Sequence, residues 1–244
     1  MVRIAILDLC KYSPIFDDSP PTSAAISDWL QPAMPEAELV QLMVCDGAKI
    51  PAPGDFDGFV LSGSEQGVYD ETEWMEPMRA FLLEARQARV PLFGICFGHQ
   101  LMADTFGGKA EKAALGHVIG ARPFDIEGKS VHALVWHQDQ VTRVPPEARV
   151  IGSSDYCPVA VLAYDFPALS VQFHPEFVQD FVIKSVNKLD GVHLASSDAQ
   201  RARDSLLGVS VAEDLMAEQV AQFFAQHLAG TSDTPPPELA ANRQ

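Results

Sequence analysis

Cysteine is scarce in this chain, and long apolar segments are missing. The 244 residues include four cysteines (Cys10, Cys45, Cys96 and Cys157), which form neither a Cys-x-x-Cys pair nor a closely spaced framework. A disulfide scaffold is therefore not expected. No apolar stretch approaches the length that spans a membrane, and no basic and then apolar leader stands at the start. We expect a cytoplasmic protein with free thiols.

Basic residues are also few. Seventeen Lys and Arg stand against 33 Asp and Glu, which gives a formal net charge of −16. Such a surface repels phosphate polymers, so nucleic-acid binding is not expected. The histidines are scattered without the spacing of metal ligands, and no P-loop is present. The sequence thus predicts no metal and no cofactor.

The most informative motif is Gly94–Gln100, in which Cys96 lies between two glycines. The apolar run Val90–Phe93 predicts a buried strand before it, and apolar residues at helical spacing follow it until Gly107-Gly108. Such a turn is typical of a nucleophile elbow, where small neighbours let the nucleophile stand clear of the fold. The helix N-terminus would favour a thiolate and offer N–H donors to an oxyanion. The alternative is that Cys96 is only a small buried apolar residue.

A candidate base lies far downstream, where the β-type run that starts at Leu169 ends in His174. Glu176 follows two positions later, and residues i and i+2 of an extended segment face the same way. Glu176 could then bind one imidazole nitrogen and leave the other to take the thiol proton. A lone histidine or glutamate at a strand end usually has no such role, but with the elbow they predict a Cys-His-Glu triad. His137 with Asp139 is the runner-up dyad.

Four blocks of sequence together resemble the class I glutamine amidotransferases, close to the glutaminase domain of GMP synthetases and its free-standing relatives. They are Leu61–Tyr69, Gly94–Gln100, Trp136–Asp139 and His174–Glu176. The blocks cover about residues 1 to 180 in the family's order, and four in order are far more specific than any one. The resemblance implies the flavodoxin-like class I glutaminase fold, a single three-layer α/β domain with a mostly parallel central sheet flanked by helices.

The resemblance also implies a role for each matching residue. Cys96 would attack the side-chain amide of glutamine, His174 would act as general base and acid, and Glu176 would orient the imidazole. Gln100 would help to bind the substrate. The backbone around Val135-Trp136 would hold its α-amino and carboxylate groups.

The implied oxyanion hole consists of the backbone N–H of Phe97 and one N–H from the loop at Gly63 and Ser64. The family commonly has a second glycine where this chain has Ser64, and a serine needs an allowed backbone conformation to present its N–H there. Taken without the family, Phe59–Gly63 is a buried strand that runs into a turn. Such turns build sites in parallel sheets, although an ordinary βα loop is the alternative.

Strand-like runs alternate with helical ones along the chain, which predicts one α/β domain. The predicted elements of the first half are strands at Val2–Leu7, Leu39–Val44 and Gly58–Leu61, and helices at Thr22–Leu30 and Glu73–Ala88. Residues 116–173 hold several β-type runs with little helix. They predict an antiparallel extension that leads back to the strand before His174.

The sequence after the candidate triad predicts three more helices, which the family resemblance does not explain. The last of them begins with a capping box formed by Ser210 and Glu213. Core packing is the favoured interpretation of their apolar stripes, and partner binding is the alternative. The predicted domain spans 1–230, with the extra helices at about 177–230, and a disordered tail follows over 231–244.

Two enzymatic functions stay open. Within these 244 residues no ATP-using domain is predicted, so the protein could be an amidotransferase that lends ammonia to a separate ATP-dependent synthetase. It could equally be a stand-alone hydrolase of γ-glutamyl amides or peptides, since both reactions pass through a γ-glutamyl thioester. Leu7–Pro14 departs from the GMP synthetase pattern and, with the extra helices, favours the free-standing branch. A non-catalytic regulatory module is the third alternative, which an intact triad argues against.

Overall fold

The computed structural model describes residues 1–11, 20–211 and 213–228. The strands of this part are β1 (Arg3–Asp8), β2 (Glu38–Met43), β3 (Gly58–Leu61), β4 (Leu92–Ile95), β5 (Lys109–Lys112), β6 (Val118–Ile126), β7 (Lys129–His137), β8 (Asp139–Arg143), β9 (Ala148–Ser154), β10 (Cys157–Tyr164) and β11 (Ala168–Val171). The α-helices are α1 (Thr22–Leu30), α2 (Met75–Gln87), α3 (Phe97–Thr105), α4 (Gln179–Leu189), α5 (Ser196–Ser205) and α6 (Glu213–Leu228). Nine strands form one sheet in the order β2-β1-β3-β4-β11-β10-β9-β6-β7, and β5 pairs with β8.

The first half of the large sheet, from β2 to β11, is parallel. Its inner strands β3 and β4 are short and buried at every residue, as expected for strands that are covered on both faces. Parallel pairing places the carboxyl ends of β1, β3, β4 and β11 at the same edge of the sheet. The segments that follow these strands meet there, which is where open α/β sheets build their sites.

The second half of the sheet, from β11 to β7, is antiparallel. Every named element between residues 118 and 171 is a strand, so the predicted antiparallel extension over 116–173 is confirmed. The predicted α/β class is confirmed as well. The sheet has as many parallel strand pairs as antiparallel ones. Because β11 returns to pair with β4, the extension ends directly beside the elbow.

The elements predicted in the first half agree closely with the structure. The helix predicted at Thr22–Leu30 is α1 with those bounds, and the strand predicted at Gly58–Leu61 is β3. The helix predicted at Glu73–Ala88 is α2, which starts at Met75 and places Pro77 in its first turn, where no intrahelical N–H bond is lost. The other two predicted strands are displaced by one residue each.

The three helices predicted after the candidate triad are present as α4, α5 and α6. Helix α6 packs beside α1 and buries apolar side chains in the same cluster as Ile4 of β1. These are Met216, Val220, Phe223 and Phe224. Core packing, the favoured interpretation, is confirmed for this helix. The side chain of Glu213, and with it the predicted capping box, and the predicted tail over 231–244 lie outside the described residues.

Candidate active site

Cys96 lies in the turn between β4 and α3, with φ 50° and ψ −102°. A positive φ is a strained conformation for a residue that is not glycine, and strain of this kind is common at functional sites. The backbone N–H of Cys96 donates to the carbonyl of Val171 at the end of β11 (2.8 Å). The elbow is thereby fixed beside the segment that carries the predicted base.

The two glycines of the elbow are required by packing. A Cβ on Gly98 would lie 2.7 Å from the carbonyl oxygen of Leu61, because α3 begins directly against the end of β3. A Cβ on Gly94 would lie 2.6 Å from the sulfur of Met102 and 2.8 Å from the backbone of Gly98. The expectation that small residues make room at this turn is confirmed.

His174 and Glu176 form a buried hydrogen-bonded pair, with 2.7 Å between Nδ1 and Oε1. The predicted contact is present, but the extended geometry proposed for it is wrong. Pro175 and Glu176 lie in a turn, in which the N–H of Phe177 approaches the carbonyl of His174 (3.3 Å). Because the turn folds the chain back, the carboxylate faces the imidazole across Pro175.

The charge on His174 is set by its two neighbours. Burial acts to lower the pKa of His174, but the Glu176 carboxylate and the neighbouring Cys96 sulfur outweigh it and raise this pKa to about 10. The second carboxylate oxygen of Glu176, Oε2, is buried and accepts no hydrogen bond from the described residues. Among the described residues, His174 is therefore the hydrogen-bond partner of this carboxylate. The raised pKa favours the imidazolium form of His174.

The imidazole is also held by stacking. The rings of His174 and Phe177 are 4.0 Å apart and 5° from parallel. With the Glu176 bond at one edge and this ring on one face, the imidazole has little freedom to rotate. Its remaining nitrogen, Nε2, is left for the sulfur.

Gln172 is a residue of the site that the sequence analysis missed. Its Nε2 donates to the Cys96 sulfur (3.7 Å), and its Oε1 accepts from Gln100 Nε2 (3.2 Å). Gln100 Nε2 also donates to the backbone carbonyl of Asp139 (2.9 Å). The chain of amides fixes which end of Gln172 faces the sulfur. Its signal in the sequence was its position two residues before His174, the same spacing that relates His174 to Glu176.

The residues predicted to supply the oxyanion donors lie close to Cys96. Phe97 is the first residue of α3, so its N–H has no partner within the helix. A Cβ on Gly63 would lie 2.9 Å from His174 Cε1 and 3.7 Å from the Cys96 Cβ, which places that loop against the reacting groups. Ser64 is not among the positive-φ residues of the described chain, so it occupies a conformation that a serine tolerates.

The predicted substrate-binding residues differ in their placement. Trp136 borders the pocket described below, and its carbonyl lies 3.8 Å from the Cys96 sulfur. Val135 is fully buried in the core with its neighbours on β6 and β7. Gln100 is 2% exposed and uses its amide N–H groups inside the protein.

The runner-up dyad of His137 and Asp139 is not formed. Nδ1 of His137 donates to the backbone carbonyl of Asp139 (3.0 Å), not to its carboxylate, and Nε2 accepts from the Tyr156 hydroxyl (3.3 Å). The carboxylate of Asp139 instead acts on Tyr69, where burial and this carboxylate raise the pKa of the phenol. Burial lowers the pKa of His137 to about 4. This histidine is neutral and both of its nitrogens are occupied.

A pocket of about 290 Å³ is lined by His174 and by the loop that contains Gly63. Small-molecule sites commonly have volumes of about 300–1,000 Å³, so this pocket suits a small ligand. Its walls come from α4, the start of α1, the end of β2 and the loops after β1 and β3. Cys10 is among the lining residues, and burial raises the pKa of its thiol to about 12.

Residues 37–181 match the family model described as glutamine amidotransferase class-I. The chain belongs to this family. The matched range contains the elbow and the His174–Glu176 turn, and it ends within the first residues of α4. Most of α4 and the whole of α5 and α6 are therefore additions to the part that the class-I family model describes.

Two curated proteins are similar to parts of this chain. γ-Glutamyl peptidase 2 of Arabidopsis thaliana is 28% identical over 164 residues, which are 62% of this chain and 66% of that protein. A glutamine-hydrolysing GMP synthase of Azoarcus sp. (strain BH72) is 38% identical over 136 residues, which are 49% of this chain and 25% of that protein. The amidotransferase thus spans just under two thirds of the first relative and a quarter of the second.

Solved structures show the same fold. A glutamine amido transferase from Methylobacillus flagellatus superposes with a TM-score of 0.68 at 19% identity and covers 93% of both chains. Among the described residues of this amidotransferase, no helix is long and apolar enough to cross a membrane. Over the same residues, no group of three or more His, Cys, Asp or Glu is placed to hold a metal ion.

Proposed function

We propose that this amidotransferase is a cysteine hydrolase of γ-glutamyl amides, with Cys96 as nucleophile, His174 as base and acid, and Glu176 as the orienting carboxylate. The observation that carries the proposal is that the strained elbow lies beside a buried pair of His174 and Glu176. In this pair, Nδ1 of His174 is 2.7 Å from Oε1 of Glu176. A nucleophile, a base beside it and a carboxylate that orients the base are the signature of covalent catalysis.

In the first half of the reaction, the Cys96 thiolate attacks the carbonyl carbon of the γ-amide, and the C=O electron pair moves to the oxygen. The C–N bond then breaks, and the amine leaves with the proton of the His174 imidazolium. In the second half, His174 takes a proton from water as the water oxygen adds to the thioester carbon. The C=O bond re-forms as the C–S bond breaks, and glutamate leaves as its γ-carboxylic acid, which loses its proton to solvent. The proton that His174 took from water stays on the imidazole, so the thiolate and the imidazolium are both restored.

The oxyanion would be stabilised by the N–H of Phe97 and an N–H of the Gly63-Ser64 loop. Both flank the sulfur, and donors fixed in advance at this place are a large source of rate acceleration. Trp136 contributes to the wall against which the glutamyl group would lie. Gln100 and Val135 are inside the protein, so their support of the substrate would be through the backbone and through Gln172.

A glutamine analogue with a diazo ketone in place of the amide tests the proposal. We expect it to alkylate Cys96 in the wild-type protein and in Cys10→Ala, since the raised pKa keeps Cys10 a thiol although it lines the pocket. Cys96→Ala should stay unlabelled and lose at least about a thousandfold in turnover. Cys157→Ala, which removes another buried thiol, should keep both properties. Labelling that persists in Cys96→Ala contradicts the proposal.

The second candidate function is delivery of ammonia from glutamine to a separate ATP-dependent synthetase. The identity of 38% to the glutaminase part of a GMP synthase favours it. The two functions differ in substrate. Fast turnover of an amide other than glutamine supports the hydrolase, whereas turnover of glutamine that rises on addition of a synthetase encoded beside this protein supports delivery.

A further inference from the structure

Helix α4 carries two stripes of side chains. Val182 and Val186 are fully buried against the sheet and α5. Phe181, Ser185 and Leu189 recur every four residues, so they share the neighbouring face of the helix, and all three line the pocket beside the proposed triad. The helix therefore does more than complete the core, because one of its faces is a wall of the site.

This wall begins at the reacting imidazole. Phe177 stacks on His174 at 4.0 Å, and Phe181 packs against Phe177 with ring centroids 4.8 Å apart. Pro21 and Met43 also line the pocket. A mostly apolar surface, interrupted by the buried Ser185, thus leads from the base along α4.

The pocket also has polar lining residues. Glu65 and Lys11 are among them, joined by a hydrogen bond from the Lys11 backbone N–H to the Glu65 carboxylate (3.0 Å). The α-ammonium and α-carboxylate of a glutamyl group suit these two residues, and no charged side chain of α4 is among the lining residues. With glutamine, the leaving group is ammonia, which has no apolar group to contact the wall.

We propose that the face of α4 formed by Phe181, Ser185 and Leu189 is a subsite for the leaving group, an inference that rests on the function proposed above. The preferred substrates are then γ-glutamyl amides whose amine carries an apolar group. The subsite lies mostly beyond the part of the chain that matches the family. Phe181 and Leu189 set its specificity, and Phe181 is the better variant to test because it is only half-buried.

The test compares glutamine with γ-glutamyl n-alkylamides from methyl to hexyl, whose amines are of similar basicity. For the wild-type protein we expect kcat/KM to rise about fourfold for each added methylene until the wall is covered. In Phe181→Ala, kcat/KM for the hexylamide should be at least about tenfold lower than in the wild type, so the rise along the series is smaller. Ile183→Ala is the matched control, since Ile183 is an exposed apolar residue of the same helix outside the pocket, and it should follow the wild type.

Binding provides a second measurement should Phe181→Ala fold poorly. Cys96→Ala should bind the hexylamide more tightly than glutamine by calorimetry. A flat or falling series, with hydrolysis that still depends on Cys96, overturns the subsite and leaves the proposed function intact. Absence of any Cys96-dependent hydrolysis or alkylation overturns the proposed function and the subsite together.

Discussion

The loop after β11 and the junction of β7 with β8 each contain a buried histidine with an acidic residue two positions later. In the loop, Nδ1 of His174 meets the side-chain carboxylate of Glu176, and the pKa of this histidine is raised. At the junction, Nδ1 of His137 meets the backbone carbonyl of Asp139, and burial lowers its pKa to about 4. Equal spacing has produced a charged histidine in one place and a neutral one in the other.

The difference lies in the backbone between each pair. Pro175 and Glu176 form a turn that folds the carboxylate back to the imidazole. Asp139 instead begins β8, so its side chain points away, toward Tyr69. A carboxylate stabilises an imidazolium, whereas a carbonyl only fixes a tautomer. Local conformation, more than sequence spacing, decides which histidine can act as an acid and base.

The largest expected effect comes from removing each histidine in turn. His174→Gln should lower kcat/KM for a γ-glutamyl amide by roughly 10²–10⁴-fold, because the proposed general base and acid is lost. His137→Gln should stay within about tenfold of the wild type. The measurement is kcat/KM for both variants beside their melting temperatures.

The melting temperatures of His174→Gln and His137→Gln separate a loss of catalysis from a loss of folded protein. His137→Gln loses two buried hydrogen bonds, each worth about 1 kcal/mol. His174→Gln removes the partner of the buried Glu176 carboxylate, which costs about 3–5 kcal/mol, so it should be the less stable of the two variants. A collapse of turnover in His137→Gln with a wild-type melting temperature would contradict the contrast between the two histidines.

Glu176→Gln is expected to have the next largest effect. An orienting carboxylate contributes roughly one to two orders of magnitude less than the base it orients. Without the carboxylate, burial dominates and the pKa of His174 falls. The imidazolium is then lost at lower pH, so the alkaline limb of the kcat/KM profile should move toward neutral pH. A variant with reduced rate but an unmoved alkaline limb would show that Glu176 does not set the charge of His174.

Much of the fold could be predicted because its signals are local. The bounds of α1 and β3 follow from the apolar pattern and from flanking residues, and the elbow is marked by Gly94 and Gly98. The His174–Glu176 contact was predicted as well, although from an extended geometry that the turn replaces. Signals within a few residues were therefore enough for these elements, for the elbow and for the contact between His174 and Glu176.

The rest of the site depends on contacts between distant segments. Gln172 and Gln100 are 72 positions apart, and their amide chain exists only because β11 pairs with β4. Helical spacing predicted α4 but could not tell which of its stripes faces the core and which faces the pocket. The loss of the runner-up dyad has the same cause, since a strand boundary at Asp139 turns its carboxylate away.

Gln172→Met tests the amide that distinguishes the surroundings of His174 from those of His137. Methionine has similar length but no N–H, so the thiolate loses one donor at 3.7 Å. We expect kcat to fall about five- to tenfold, equivalent to about 1–1.4 kcal/mol, with little change in KM. The rate of Cys96 alkylation by iodoacetamide at a fixed pH should change as well, since the sulfur loses its donor. An unchanged kcat and alkylation rate would limit Gln172 to a packing role.

The smallest expected effect is that of Tyr156→Phe, which removes the hydroxyl that donates to Nε2 of His137 (3.3 Å). The ring contacts of Tyr156 with His137 and Phe124 need no hydroxyl and should persist. We expect a loss of roughly 0.5–1.5 kcal/mol in the free energy of unfolding and unchanged kcat/KM, since a neutral His137 takes no part in the reaction. Urea unfolding of Tyr156→Phe, His137→Gln and the double variant completes the comparison. Because the two residues share one hydrogen bond, the double variant should lose less than the sum of the single losses, and strict additivity would mean that this bond contributes nothing.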